Sequence, residues 1–428
     1  MNDYNSNKKT GKALIPRLRF PEFQNSGEWE VKRIGEFLTE SKIPSYANDP
    51  RKRITVRLNY GGVEKREYRG TEAVDASNYF IRKKGQFIYG KQNFHKGAFG
   101  IIPDDLDGFE SSQDLPAFDF AKFINPLFFI NTLLRNEFYK TFETFTIGTG
   151  SKRLHPSELF KIKIPIPSLP EQQKIASCLS SIDEVIAGER QRLELLKAYK
   201  KGLLQNLFPR EGETVPKLRF PEFKDSGEWE VTALSELGYL INGLTYSPED
   251  VREKGLLVLR SSNIQDGLID LKDCVYVREN IKGVNLIKPR DILVCVRNGS
   301  KDLIGKNAMI PEGIPLATHG AFMTIFRANN PEFVFQLFQT DYYDKQVRAD
   351  LGATINSING KNFIKYKFPV PENPKEQQKI ADCLSSLDDV IQAQQQKIEL
   401  LEQHKKGLLQ GLFPNLKQLD NERCNYDI

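Results

Sequence analysis

The sequence EQQKIA at residues 171–176 occurs a second time at residues 376–381, 205 positions further along the chain. A second sequence, LRFPEF, occurs at residues 18–23 and again at residues 218–223, 200 positions apart. Both offsets are close to half of the 428 residues. Self-similarity at this scale indicates a duplicated domain, since solenoid units recur roughly every 20–50 residues. We therefore expect two similar halves that present two similar surfaces at a fixed separation.

A heptad pattern of apolar residues runs through each copy of the repeated segment. The apolar residues recur at alternating steps of four and three, with two gaps in each copy, which is the spacing of a coiled-coil seam. Glu189 and Lys200 fill the gaps in the first copy, and Gln394 and Lys405 fill the matching gaps in the second. Polar residues at such positions weaken a helix pair but can fix its register. The predicted seam consists of Ile175, Leu179, Ile182, Ile186, Leu193, Leu196, Leu203 and Leu207 in the first copy, and of Ile380, Leu384, Leu387, Ile391, Ile398, Leu401, Leu408 and Leu412 in the second.

Each copy also carries signals for the start and the end of a helix. Ser168 stands three residues before Glu171, and Asn373 stands three residues before Glu376. This spacing, with a proline early in the turn, predicts a capping box. Each copy ends at a Phe-Pro pair, because proline disfavours the helical conformation in the residue before it. The repeated segments are therefore predicted to be two long helices of equal length.

The direction of the two helices follows from the segment 209–372, which leaves the end of the first and enters the start of the second. If the helices were parallel, this segment would have to bridge about 55 Å, at roughly 1.5 Å per residue of helix. If they are antiparallel, its two ends lie close together, as domain termini usually do. We therefore predict an antiparallel coiled coil with a pseudo-twofold axis across it. Separate coils formed with partner chains are the alternative.

The predicted fold class is α+β, with two pseudo-symmetric globular domains joined by the two long antiparallel helices. The domains occupy residues 1–167 and 209–372, and the helices occupy residues 168–208 and 373–428, the latter with a C-terminal tail. Both domains contain the opening sequence GEWEV and close with a strand-like segment that turns through prolines into its helix. Their interiors differ in sequence. Matching frames with different interiors indicate two modules that do the same kind of task on different targets.

The interior sequences predict mixed secondary structure. Short β-type runs occur at residues 85–89 and 291–296, and helix-like segments occur at residues 127–138 and 333–347. This mixture is the basis for assigning each domain to the α+β class.

Bulk composition is that of a mildly basic globular chain. The 61 Lys and Arg residues exceed the 56 Asp and Glu residues, giving a net charge of +5, which permits a polyanionic partner without requiring one. The five cysteines are scattered without a C-x-x-C pair, which argues against a disulfide framework or a structural zinc site. No signal peptide or membrane span is recognisable. These features predict a cytoplasmic location.

Signatures of catalysis are poor. The sequence NPLF at residues 125–128 lacks the second proline of the Asn-Pro-Pro-aromatic motif of amino-methyltransferases, and GTGSK at residues 148–152 lacks the spacing of a phosphate-binding loop. The four histidines have no metal-ligand spacing. We therefore predict no catalytic residues and no metal site.

Binding residues are better represented, in loops rich in Gly, Asn, Ser, Thr, Lys and Arg beside strand-like runs. Each loop taken singly is typical of a solvated turn. Together, in a duplicated architecture, they supply the groups that DNA recognition requires: Arg and Lys for guanine, Asn and Gln for adenine, and hydroxyls for phosphates. The candidate DNA-binding residues are Lys91, Gln92, Asn93, His95, Lys96, Thr149, Ser151, Lys152 and Arg153 in the first domain, and Arg260, Ser261, Asn263, Arg297, Asn298, Ser300, Lys301, Asn356, Ser357, Asn359 and Lys361 in the second.

This pattern resembles the specificity subunit of type I restriction–modification systems. The resemblance covers almost the whole chain. It rests on the transition from a Pro-x-Pro sequence to EQQKIA at residues 165–176 and 369–381, on the Leu-x-Phe-Pro helix ends, and on the LRFPEF and GEWE openings.

The resemblance implies that each domain is a target recognition domain that reads one half of a split, asymmetric site in double-stranded DNA. It also implies that the helices act as a spacer and that the chain recruits two modification (methyltransferase) subunits and, in the full complex, restriction and translocase subunits. Catalysis would then belong to these partners, and no cofactor is expected in this chain. Two alternatives remain: a self-sufficient DNA-modifying enzyme, and a bivalent coiled-coil scaffold for protein partners.

Overall fold

The computed structural model describes residues 14–46, 49–70, 78–147, 152–351 and 356–415, with only the backbone of Asn136. The chain divides into two compact units. The first unit comprises Met1–Glu189 with Lys397–Ile428, and the second comprises Arg190–Gln396. Each unit contains a mixed α and β domain together with a portion of each long helix.

The first unit is built around a four-stranded sheet with the order β2-β10-β7-β8. A three-stranded sheet, β3-β6-β9, and the pairs β4-β5 and β1-β11 accompany it. The predicted β-type run at residues 85–89 forms a central strand of the main sheet. The strands are β1 Glu30–Arg33, β2 Leu38–Ser41, β3 Ile43–Pro44, β4 Ile54–Val56, β5 Val63–Lys65, β6 Tyr79–Ile81, β7 Phe87–Tyr89, β8 Phe99–Ile101, β9 Glu110–Ser112, β10 Ala117–Phe120 and β11 Lys163–Ile166.

Helix α1, Pro126–Leu134, packs an aromatic core against this sheet. The ring of Phe129 lies edge-on to that of Phe87, with 5.0 Å between their centroids. The helix ends at Leu134, four residues before the predicted end, and a 3-10 helical stretch follows it. The helix ends there because the backbone leaves the helical region at Arg135, whose ψ is 128°. A short helix, α2 Pro156–Lys161, precedes β11.

The second unit has an equivalent main sheet with the order β13-β22-β19-β20. Its additional sheet differs: it has four strands, β14-β18-β15-β21, with β15 and β21 parallel. The predicted helix at residues 333–347 is interrupted, since α5 ends at Leu337 and α6 begins at Asp341. The elements are β12 Glu230–Ala233, α4 Leu234–Leu237, β13 Gly238–Asn242, β14 Val251–Arg252, β15 Leu256–Leu259, β16 Ile264–Gln265, β17 Leu268–Ile269, β18 Val275–Val277, β19 Ile292–Cys295, β20 Asn307–Met309, β21 Ala317–His319, β22 Met323–Ala328, α5 Pro331–Leu337, α6 Asp341–Leu351, α7 Gly360–Phe363 and β23 Lys367–Val370.

The opening and closing segments of each domain pair with each other. β1 and β11 are antiparallel, with Glu30 opposite Ile166, and β12 and β23 are antiparallel, with Glu230 opposite Val370. The strand that closes each domain leads directly into a long helix. This pairing closes the repeated frame around the interior of each domain, as the matching sequences indicate.

The two long helices are α3, Leu169–Leu207, and α8, Pro374–Gly411. Every predicted seam residue is buried or half-buried. Four other branched aliphatic residues of these helices are exposed: Val185 by 48%, Leu195 by 64%, Val390 by 47% and Leu400 by 65%. None of the described helices combines the length and apolar character that a membrane span requires.

Within the first unit, ion pairs show that the two helices run antiparallel. The Lys405 ammonium lies 2.6 Å from the Asp183 carboxylate, and the Lys397 ammonium lies 2.5 Å from that of Glu189. Residue numbers rise along α3 while those of their partners fall along α8. The predicted antiparallel direction is confirmed, and the seam residues Glu189 and Lys405 form ion pairs across the helix pair.

Within the second unit, Lys200 lies 2.5 Å from Asp388. These two residues are the repeat partners of Lys405 and Asp183, 205 positions apart in each case. The same ion pair therefore occurs once in each unit, at positions that correspond in the repeated sequence.

The predicted capping boxes are wrong in the role that they give to the glutamates. Glu171 is 1% exposed and accepts two hydrogen bonds of 2.8 Å from the Arg19 guanidinium, with a third of 3.3 Å from Trp29. Glu376 is bound in the same way by Arg219, at 2.7 and 2.8 Å. A buried carboxylate is stabilised more by a bidentate guanidinium than by a backbone N–H. Each glutamate therefore ties the helix start to the LRFPEF segment.

We expect Arg219→Ala to destabilise the second unit by about 3–5 kcal/mol, because the variant leaves the buried Glu376 carboxylate without its charged partner. Urea unfolding of the full chain would measure this. The sequence contains two tryptophans, so a Trp29→Phe background leaves Trp229 as the fluorescent reporter of the second unit.

The control is Lys345→Ala, which removes an ion pair with Glu211 whose side chains are 68% and 73% exposed. This change should cost no more than about 1 kcal/mol, because water and salt screen exposed charges. An unfolding midpoint for Arg219→Ala equal to that of the control would contradict the role given to the buried pair.

Candidate nucleic-acid interface

Three of the predicted loops in the second domain meet at one surface, which we call the second-domain loop surface: residues 260–263, 297–301 and 356–361. Arg297 forms an antiparallel backbone bridge with Ser357. The side-chain amide of Asn298 donates to the Ser261 hydroxyl at 3.0 Å. These contacts join residues that lie 37 and 60 positions apart along the chain.

Arg297 occupies an exposed position on this surface, directly after β19. Its guanidinium lies over the ring of Phe322, with 5.7 Å between the Cζ atom and the ring centroid. The Phe322 side chain is itself 58% exposed. Among the residues that the structure describes, Arg297 forms no ion pair. Its five N–H donors are therefore available to a ligand.

Arg260 and Asn263 are placed differently. Nη2 of Arg260 lies 2.8 Å from the Asp273 carboxylate. Asn263 is fully buried: its side-chain oxygen accepts from the Arg260 N–H, and its amide donates to the carbonyls of Asp270 and Asp273. Such an amide holds the loop together and cannot reach a base. The prediction of Asn263 as a contact residue is therefore not retained.

The remaining candidates in the second domain lie on the loops as follows. The Asn298 side-chain oxygen accepts from the Ser300 N–H at 3.0 Å, which fixes the turn. Asn359 caps α7 by accepting from the Lys361 N–H at 2.9 Å. Ser300, Lys301, Asn356 and Lys361 are exposed. They present hydroxyl, amide and ammonium groups around Arg297.

In the first domain, the turn that contains Lys91, Gln92, Asn93, His95 and Lys96 follows β7. The Lys91 N–H donates to the Asp114 carbonyl at 3.0 Å, and the Lys91 carbonyl accepts from Leu154 at 2.8 Å. We call the surface formed by residues 91–96, Asp114 and 152–153 the first-domain loop surface. The structure thus brings together the two predicted loops of this domain.

Arg153 and Lys152 belong to the same surface. The Arg153 guanidinium lies 3.0 Å from the Asp114 carboxylate, and Lys152 is exposed. Thr149 and Ser151 were also predicted here, but they lie outside the described residues. Nδ1 of His95 is buried and has no hydrogen-bond partner among the described groups.

A buried arginine holds the turn that contains Asp114 of the first-domain loop surface. Arg82 is 1% exposed and donates to Ser111, to the Ser41 carbonyl and to the Leu115 carbonyl, at 2.7, 2.7 and 3.2 Å. Burial lowers the pKa of Arg82 to about 10, so the guanidinium remains charged at neutral pH. Its hydrogen bonds to Ser111 and Leu115 hold the turn at residues 111–115 and thereby fix the position of Asp114.

Two buried polar groups lie beside the second-domain surface without belonging to it. Burial raises the pKa of Cys295, whose thiol donates to the Arg297 carbonyl at 3.5 Å, so the sulfur stays an unreactive thiol. Burial lowers the pKa of His319, whose Nε2 lies 3.0 Å from the Ile241 carbonyl, so the ring is neutral at neutral pH. Neither group can supply charge to a ligand.

Sequence reasoning missed Phe322 and Asp114. Phe322 stands next to an apolar strand, so its residue type indicates burial, and its exposure depends on the turn before β22. Asp114 lies in a short turn with no distinguishing spacing. Asn125 of the NPLF sequence has a structural role, since its side chain accepts from the Phe128 N–H and caps α1.

Comparison with known proteins identifies two regions of the chain. Residues 26–198 and 226–403 each match the family described as type I restriction modification DNA specificity domain. The two matched regions together cover more than half of the chain. They contain both loop surfaces and most of both long helices.

Relatives of known name match over different lengths. The type I restriction enzyme MjaVIII specificity subunit of Methanocaldococcus jannaschii is 25% identical over 423 residues, covering 94% of this chain and 95% of that protein. The type I restriction enzyme EcoKI specificity subunit of Escherichia coli K12 is 29% identical over 196 residues, 43% of this chain and 41% of that protein. The crystal structure of the S subunit from M. genitalium has the same fold, with a TM-score of 0.59 and 16% identity, covering 94% of this chain and 100% of that one.

We expect Arg297→Ala to weaken binding of the preferred DNA duplex by about 1–3 kcal/mol, because a guanidinium can bond to guanine through two donors at once. Duplexes selected from a random pool by the unaltered protein provide the ligand, and fluorescence anisotropy provides the affinity.

A matched control is Lys288→Ala, which also removes one positive charge. Lys288 is exposed and lies in the turn that enters β19, whereas Arg297 follows the other end of that strand. The control should leave affinity nearly unchanged. Equal affinities for the two variants would argue against the second-domain loop surface as the DNA contact.

Proposed function

Since this chain belongs to the type I restriction modification DNA specificity family, we propose that it is the subunit that selects the DNA site of a type I restriction–modification complex. The observation that carries this proposal is the occurrence of one structural frame twice, each time holding a different loop surface. Residues 1–167 and 209–372 are the proposed recognition domains, and residues 168–208 and 373–428 form the proposed spacer with its tail.

Each recognition domain is proposed to read one half of a bipartite site. The frames of the two units share their contacts: Arg19 binds Glu171 as Arg219 binds Glu376. The loop surfaces differ, since Arg297 in the second has no carboxylate partner among the described residues, while Arg153 in the first lies against an aspartate. Different donors favour different base pairs, so the two half-sites differ and the whole site is asymmetric.

The helix pair is proposed to set the spacing between the half-sites. Each long helix runs without interruption from one unit into the other. Lys200 and Lys405 occupy matching seam positions, and each bonds across the pair to an aspartate. Charged pairs at fixed seam positions disfavour slippage of one helix along the other.

The same helices are proposed to hold the modification subunits. In each unit, an exposed valine stands two residues after the aspartate of the ion pair, and an exposed leucine stands five residues before its lysine. These are Val185 with Leu400 in the first unit and Val390 with Leu195 in the second. Because the helices are antiparallel, moving forward along one helix and backward along the other follows the same direction along the axis. The valine and the leucine of each couple therefore lie within about one helical turn of each other along that axis. Two equivalent apolar couples match two copies of one partner.

Methyl transfer and DNA cleavage are assigned in this proposal to the modification and restriction subunits, and this chain contributes sequence recognition. No resident cofactor is proposed. We place the protein in the cytoplasm, where DNA and these partners meet. The four described cysteines are free thiols, which is compatible with that compartment.

Exchange of one domain tests the proposed function. Replacing residues 33–163 by residues 233–367 joins the chain at equivalent positions of the β1–β11 and β12–β23 pairs. We expect the modification subunits assembled with this chimera to methylate a palindrome made of two copies of the second half-site. Methylome sequencing of cells that express the chimera would show this.

The reverse exchange, residues 233–367 by 33–163, provides the matched control and should give a palindrome of the first half-site. Methylation that stays at the original asymmetric site in both chimeras would contradict the assignment of one half-site to each domain. Assembly with subunits but no salt-dependent DNA binding would favour the bivalent protein scaffold instead.

The docking couples provide a separate prediction. We expect Val185→Glu and Val390→Glu each to lower the affinity for one copy of the modification subunit by roughly tenfold or more, because a buried apolar contact gains an unpaired charge. The double variant should lose both copies. Native mass spectrometry of the assembled complex counts the copies.

Gln392→Glu is the control, since Gln392 is exposed and follows Val390 by two residues, about 200° around the helix. It introduces the same charge and should keep both copies bound. Two bound copies in the double variant would remove these couples as the docking site.

A further inference from the structure

Phe322 is an apolar side chain exposed among polar loops. It is 58% exposed, and it stands between β21 and β22 with Met323, which is 2% exposed, directly after it. Met323 begins β22 and enters the core, whereas Phe322 lies in the turn before this strand and contacts Arg297 of the second-domain loop surface. Large apolar side chains at exposed positions inside a binding surface often serve binding.

The backbone of Phe322 fixes the start of the Arg297 loop. Its carbonyl accepts hydrogen bonds from the N–H groups of both Val296 and Arg297, at 3.0 and 3.1 Å. The turn that holds Phe322 is itself fixed, because the Ala321 N–H donates to Leu244 and the Met323 N–H donates to Gly320, both at 2.9 Å. The backbones of Arg297 and Phe322 are therefore joined directly to each other.

The Phe322 ring then holds the other end of Arg297. The guanidinium carbon lies 5.7 Å from the ring centroid, within the range of a cation–π interaction. A guanidinium held by an aromatic ring, and not by a carboxylate, keeps its N–H donors free for a ligand. The ring thus limits the rotamers of a long side chain without using any of its donors.

Other arginines of the second unit are held by carboxylates, which occupy their donors. Asp291 also raises the pKa of Arg327, and both of its oxygens lie 2.7 Å from that guanidinium. Arg297 differs from these in being held by a ring. Among the described residues, the carboxylate-bound arginines of this unit are Arg219 with Glu376, Arg260 with Asp273, Arg278 with Asp250, Arg290 with Glu332 and Arg327 with Asp291.

We propose that Phe322 is a specificity-determining residue that positions the Arg297 guanidinium to bond with a guanine in the half-site read by the second domain. This inference rests on the proposed function. The preformed orientation favours one bidentate geometry and disfavours others, so its effect falls on discrimination between base pairs. The ring carries no charge and makes no contribution to phosphate neutralisation.

The test uses the full chain assembled with its modification subunits. Competition binding compares the wild-type site with duplexes that each carry one substituted base pair in the second half-site. Phe322→Ala is expected to reduce discrimination at one G·C pair by roughly ten- to a hundredfold, the range of one bidentate contact. Affinity for unrelated DNA and its dependence on salt are expected to stay unchanged.

Three further variants separate positioning from other roles. Phe322→Tyr keeps an aromatic face and should retain discrimination, whereas Phe322→Leu keeps apolar volume without the face and should lose it. Arg297→Ala should lose discrimination at the same base pair, and the double variant should be no worse there than Arg297→Ala alone. Leu316→Ala is the control, because Leu316 is 70% exposed and precedes β21, whereas Phe322 follows that strand.

Each outcome decides the proposal. Full discrimination in Phe322→Leu would show an apolar wedge and overturn positioning through the ring face. Effects of Phe322→Ala and Arg297→Ala at different base pairs would also overturn it. If the wild-type complex shows no discrimination at all, the proposed function fails together with this inference. If the wild-type complex discriminates between base pairs and Phe322→Ala discriminates equally well, this inference is wrong and the proposed function still stands.

Discussion

The structure of each unit depends on one buried ion pair between an arginine of the LRFPEF segment and the first glutamate of a long helix. Arg19 and Glu171 are joined by two hydrogen bonds of 2.8 Å, and the glutamate is 1% exposed. Neither charge is stable there alone, because removal from water costs several kcal/mol per ion unless a partner compensates it. The pair therefore fixes the chain opening to the helix start. Arg219 and Glu376 repeat this constraint in the second unit.

This constraint separates the parts of the chain that must stay the same from those that are free to differ. The Leu18 N–H donates to the Gly411 carbonyl in the first unit, as the Leu218 N–H donates to Asn206 in the second, both at 2.8 Å. Around such contacts the main sheet of each domain has the same strand order, while the additional sheets differ. A frame that is fixed by buried polar contacts allows its loops to change without altering how they are presented. Two different readers on one frame follow from this arrangement.

The seam of the helix pair could be predicted from the sequence because heptad periodicity states directly which residues share a face. The role of Glu171 could not be predicted, since its nearest sequence partner suggests a capping box while its actual partner lies 152 residues away. The candidate site shows the same limit. Asn263 and Asn298 have the same residue type in similar polar loops, yet the first is fully buried, while the second is half-buried and bonds to Ser261. Local composition does not encode which side of a loop meets the core.

The sequence by itself determined the duplication, the two long helices and their antiparallel direction. It also determined that the polar loops of one domain differ from those of the other. These features depend on periodicity, on repeat spacing and on chain connectivity, all of which are linear properties. Only the tertiary structure decided which loops meet, that Phe322 lies under Arg297, and that this arginine has no carboxylate partner among the described residues. Such contacts join residues far apart along the chain, and their geometry depends on how strands and turns pack in three dimensions.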